Sequence, residues 1–182
     1  MLQDRTLRWR PLGSSGLEHL RVVERDGAIV LRGVVIADRD DADCAVSYAI
    51  TLDADWGFRA VTLESDSGLT VALTRDGAGR WADGDGPRED LAGCIDIDIS
   101  GSPTTNTLPI RRIRDWVVGE PRRFAMAYIA LPGLMVSRHE QIYTKLGADR
   151  FRYQNADGSF EAQLSVDEDG FVIDYPTLFA RV

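Results

Sequence analysis

Two carboxylates, Asp96 and Asp98, stand two residues apart, and a Pro-Thr-Thr-Asn turn separates them from an arginine pair, Arg111 and Arg112. On a strand, both aspartates would project from one face and Ile95, Ile97 and Ile99 from the other, leaving one face charged and one dry. The turn can bring a guanidinium back to a carboxylate, or present it to an anionic ligand, through two parallel hydrogen bonds. Same-face carboxylates lie about 6.5–7 Å apart at the backbone, near the separation that inverting glycosidases use. Three readings follow: a head-group binding site, a general acid and base acting on a sugar or ester, or an ion-pair network that fixes the turn. A carboxylate pair held by two arginines is expected to have depressed pKa values, whereas a general acid needs a raised one. Binding is therefore favoured over catalysis, and no residue is assigned a catalytic role.

Little else in the chain competes for chemistry. His19 and His139 are the only histidines, and neither sits in a triad or zinc motif. Cys44 and Cys94 lack CxxC or Cys/His spacing, so two reduced, buried thiols are expected, with no metal site and no cofactor. A net charge of −8 and a pI near 4.8 disfavour nucleic acid, whose binders need a basic face. Acidic ligands would need a local basic pocket such as Arg111 and Arg112. Trp9, Trp56, Trp81 and Trp116, with Tyr48, Tyr128, Tyr143, Tyr153 and Tyr175, can fill a core or line a cavity that takes an apolar chain or stacks on a sugar ring.

The elements that must carry these residues read as strands. Val46, Tyr48, Ile50 and Leu52 alternate with polar or small residues, and Leu69, Val71 and Leu73 repeat the pattern. Turn signals occur at Asp26-Gly27, Asp76–Gly79, Asn155–Gly158 and Asp167–Gly170, a spacing that predicts an antiparallel meander. The C-terminal third predicts three short strands, at about 150–154, 159–166 and 171–175. Thr107–Arg114 predicts a short helix with Pro109 in its first turn. The charged runs 37–43 and 83–90 are expected as solvated loops too short to divide domains. At 182 residues, with 44% hydrophobic residues, the chain is expected to form one domain, 1–182, able to bury about 70% of its unfolded surface. The arginine-containing start lacks an apolar run of about 7–15 residues, and no stretch reaches the roughly 18 that span a bilayer. A cytoplasmic protein, not integral to a membrane, is therefore expected.

The segment Thr105–Arg112, TNTLPIRR, together with Gly93-Cys94-x-Asp96-x-Asp98, Gln141-x-Tyr143 and Asp174-Tyr175-Pro176, resembles the putative glycolipid-binding family of bacterial domains. Between Pro103 and the Thr-Asn-Thr run, where that family commonly has an aromatic, this chain has Thr104. The resemblance implies a mainly β fold like that of the bacterial lipoprotein-carrier proteins. Such a fold is a single antiparallel sheet curled into an incompletely closed half-barrel, with at most one or two short helices. It also implies a glycolipid or other amphiphile in a concave apolar cavity. Asp96, Asp98, Asn106, Arg111 and Arg112 would then meet the head group, with Tyr143, Trp56, Trp81 and Tyr175 as the aromatic lining. The alternatives are a carbohydrate- or ester-active hydrolase using Asp96 and Asp98, or a protein-interaction module pairing through an exposed sheet edge.

Overall fold

A computed structural model describes residues 4–39 and 42–182. Among the described residues fifteen strands form one sheet, ordered β8-β7-β6-β5-β4-β3-β2-β1-β15-β14-β13-β12-β11-β10-β9. In the first half these are β1 (Arg5–Pro11), β2 (Gly16–Arg25), β3 (Ala28–Arg39), β4 (Ala42–Asp53), β5 (Phe58–Ser65), β6 (Thr70–Arg75), β7 (Trp81–Asp83) and β8 (Gly86–Pro87). In the second they are β9 (Cys94–Ile99), β10 (Pro121–Ala130), β11 (Met135–Lys145), β12 (Arg150–Asn155), β13 (Glu161–Val166), β14 (Val172–Tyr175) and β15 (Phe179–Arg181). Neighbours are antiparallel except β9 and β10, which run parallel. The exception has a covalent cause: residues 100–120 leave the sheet between them, and a parallel pair needs such a crossover.

Alternation and turn chemistry form the sheet as expected. Val46, Tyr48, Ile50 and Leu52 all point into the core from β4. Asp26 and Gly27 have φ of 53° and 76°, the left-handed pair of a tight hairpin turn whose twist matches its strands. At Asp167 the side chain accepts the amides of Asp169 and Phe171, closing that turn. Beyond the three short strands expected after residue 150 lies one more, β15, which pairs with β1 through Trp9 and Arg181 and so joins the two halves of the sheet.

The two charged runs differ from the expected loops. Asp38 pairs with Asp43 and Arg39 with Ala42, so strand pairing continues through 37–43 except at positions 40 and 41, which lie outside the described residues. Within 83–90 the chain forms β8 and a 3-10 turn, Glu89–Leu91, while Arg88 binds Asp83 and Asp90. The ladder does not close on itself. At the seam the indole N–H of Trp81 and the Nε of Arg75 both donate to the carbonyl of Cys94, at 2.9 and 3.2 Å. No helix among the described residues is long and apolar enough to cross a membrane.

The crossover that follows β9 governs the interior. A 3-10 turn at Pro103–Asn106 leads directly into α1 (Thr107–Arg112), and every residue from Ser102 to Ile110 is buried. The helix ends earlier than the expected Arg114, where Ile113 turns extended. Pro109 falls in its first turn, where a missing N–H costs nothing, and Arg111 and Arg112 fall at the end favourable to positive charge. Leu108 joins the main core and Ile110 a second cluster with Met126, Tyr143, Phe151 and Val172. This polar loop occupies part of the interior, and recesses open around each of its two ends.

Candidate functional site

Strand β9 is buried on both sides. Ile97 and Ile99 enter the main core, and Asp96 faces the opposite way at 0% exposure. Ile95 departs from the expected isoleucine face: it lies where the register between β9 and β10 shifts, and it packs on the second cluster. Such a bulge adds one residue and reverses the parity of the strand.

Three carboxylates from the wall hold the buried loop. Glu18 of β2 is 2% exposed, and its Oε1 accepts hydroxyl hydrogen bonds from Ser102 at 2.6 Å, Thr104 at 2.8 Å and Tyr48. Asp98 Oδ1 accepts from Thr105 at 2.9 Å, and its Oδ2 from the side-chain amide of Gln141. Asp96 Oδ2 accepts from Arg112 Nε at 3.2 Å. Burial raises the pKa of all three because a charge loses hydration, and Asp96 is pushed up to about 7 despite the attraction of Arg112. The depressed values expected for Asp96 and Asp98 are thus reversed: desolvation outweighs the attraction of Arg112 and the weaker one of Arg75 at Asp96, and no arginine binds Asp98.

Around one end of the loop lies a recess of about 320 Å³. Its polar wall includes Asp98, Asn106, Gln141 and Asn155, and its rings come from Tyr128, His139, Tyr153, Phe160, Tyr175 and Phe179. The rings brace one another: Tyr153 lies 6.0 Å from Phe160 and 6.3 Å from Tyr175, and Tyr128 stacks on His139 at 4.4 Å. Asn106 donates to the phenol of Tyr143 at 2.9 Å, which fixes the amide from behind. Gln141 turns its NH₂ to the Asp98 carboxylate, so its Oε1 points away, buried and without a hydrogen-bond partner. Such a wall can stack on the face of a sugar ring and bind its hydroxyls.

Around the other end opens a wider groove of about 1000 Å³, lined by Trp56, Arg111, Trp116 and Asp169 among others. Arg111 lies 5.0 Å above the Trp56 ring and 3.1 Å from Asp169, which Arg5 also binds. Its charge is already met by the protein.

The residues singled out from sequence therefore separate. Asp98, Asn106 and Tyr175 share the aromatic recess, with Tyr143 behind its wall. Arg111 and Trp56 face the opposite groove, and Asp96 and Arg112 form a pair outside the recess. Trp81 stacks on Phe58 at 4.9 Å and belongs to the seam. Sequence reasoning missed Glu18, although it alternates in phase with the buried Leu20 and Val22 and its inward direction was readable from parity. It also left Gln141 as a motif letter and His139 as an isolated histidine. Only the pairing of β10, β11 and β12 brings these residues to Asp98.

Comparison with known proteins agrees with this architecture. A crystal structure of a DUF1089 family protein from Pseudomonas aeruginosa superposes with a TM-score of 0.78 at 37% identity, covering 96% of this chain and 95% of that one. The outer-membrane lipoprotein LolB of Halorhodospira halophila (strain DSM 244 / SL1) is 36% identical over 74 residues, which is 41% of this chain. The match spans about a third, 31%, of that curated relative's length. A family model described as "Putative glycolipid-binding" matches residues 6–181, and the chain belongs to that family.

Proposed function

We propose that the domain binds a glycolipid or a related amphiphile. The polar head group lies in the recess around Asp98, Asn106 and Gln141, and the apolar part rests against the rim formed by Phe160, Leu178 and Phe179. The observation that carries this reading is the buried, unpartnered Oε1 of Gln141 in the wall of a ring-lined recess. A buried acceptor left unmade costs about 1–3 kcal/mol, and a ligand hydroxyl relieves that cost. The family description and the partial likeness to LolB support an amphiphile as the ligand class. Catalysis by paired aspartates has weaker support, because Asp96 does not line the recess that Asp98 lines.

Titration calorimetry with octyl glucoside below its micellar concentration tests the reading. Saturable binding is expected, and Phe160→Ala should weaken it by about threefold to tenfold through the lost ring contact. Absence of saturable binding to the unaltered protein overturns it.

A further inference from the structure

The head-group end is acidic in a way that selects its ligand. A second recess, of about 250 Å³, adjoins the first, and Gly101, Leu178 and Phe179 line both. Its wall contains Glu18 and Asp38. Glu18 Oε1 already accepts three hydroxyl donors, while Oε2 is buried with no partner. Two orphan acceptors, Glu18 Oε2 and Gln141 Oε1, therefore occur in adjoining recesses, and acceptors of this kind call for donors. Among the described residues no arginine or lysine lines either recess, and the one side chain there able to carry positive charge is His139. The arginines that sequence reasoning offered to an anionic head group line neither recess: Arg112 binds Asp96 through its Nε, and Arg111 meets Asp169 and Trp56.

Resting on the glycolipid reading above, we infer that the two recesses together take a donor-rich head group that is neutral or cationic, with an amino sugar preferred and an acidic sugar or phosphate rejected. Asp98 and Gln141 meet ring hydroxyls in the first recess, and Glu18, with Asp38 at the surface, draws the ammonium group into the second. An anionic group would face Asp98 in the first recess, where the His139 imidazole is the one group able to offset it, and Glu18 with Asp38 in the second, where no cation lines the wall; like charges in partly desolvated sites repel strongly.

Calorimetry on the intact protein with octyl glucosaminide, octyl glucoside and octyl glucuronide separates the possibilities, because the octyl chain and the pyranose ring stay the same while the head group is cationic, neutral or anionic. The amino sugar should bind about tenfold or more tightly than the uronate, with the gap narrowing as salt rises. Glu18→Gln should move that ratio towards one. Asp38→Asn, at an exposed position away from the buried hydroxyl network, should do so to a smaller extent, and it serves if Glu18→Gln fails to fold. Equal or tighter binding of the uronate overturns the inference while leaving the glycolipid reading in place, as does a preference unchanged by both substitutions. Failure of all three ligands to bind overturns both.

Discussion

Arg111 and Arg112 are chain neighbours with different tasks, and single substitutions should separate them. Arg112 is the partner of a fully buried carboxylate, so Arg112→Met leaves Asp96 without its cation; proton uptake limits the loss near neutral pH, and it should grow to about 3 kcal/mol in alkaline solution, where Asp96 is held ionised. Arg111 holds a part-exposed ion pair and a ring contact, each worth about 1 kcal/mol or less, so Arg111→Met should change stability little. Urea unfolding of the two variants measures the contrast, and equal losses would contradict it. Asp96 also sets a pH dependence. Its carboxyl titrates at about 7 in the folded chain against an ordinary 3.8, so the native state holds a proton that the unfolded state releases. The contribution of Asp96 to stability is complete below the unfolded value and declines as pH rises from about 4 to about 7. Asp96→Asn should flatten that decline in a series of thermal melts. An unchanged slope would show that the aspartate titrates normally.

At the scale of elements, β3 and β4 show how a strand position serves the buried loop. Gly33 faces Tyr48 across the ladder, and a Cβ there would overlap the Tyr48 ring. The missing side chain lets the ring lie over the strand and extend its hydroxyl to Glu18 on β2. Gly33→Ala must displace that ring and its hydrogen bond, and should cost about 1–3 kcal/mol in chemical unfolding. A stability within 0.5 kcal/mol of the unaltered chain, about the scatter of surface changes, would mean the ring moves freely. The strand itself was legible, because Val46 to Leu52 alternate without interruption. The hairpin turns were legible too, from Asp-Gly pairs whose backbone needs are specific. Strand β15 was not: three residues carry too little pattern, and their partner is β1 at the far end of the chain. Most opaque was the loop at 102–107, since Ser, Pro, Thr and Asn ordinarily mark a solvated turn. Its burial depends on acceptors supplied by β2, β9 and β11, which no local pattern reveals.

Across the whole molecule, the ladders among the described residues join strands consecutive in sequence, with β1–β15 the exception, and run antiparallel, with β9–β10 the exception. The crossover between β9 and β10 is also the loop that occupies part of the interior, so one covalent segment links the two tasks. Consider the order of events as the chain folds. Hairpins such as β2–β3 can zip locally, but β10 cannot settle beside β9 until residues 100–120 have found a path, and that path runs through the core. Loop closure must precede the contacts that reward it, which makes this step a natural barrier. Thr104→Val removes one of the hydroxyls that Glu18 receives while keeping the side chain's shape. Stopped-flow measurements should show slower refolding and a nearly unchanged unfolding rate, a φ value near one. Faster unfolding with normal refolding would place the loop's insertion after the barrier. With refolding slowed as expected, the segment that carries the family motif is, in kinetic terms, the nucleus on which the two halves of the sheet meet.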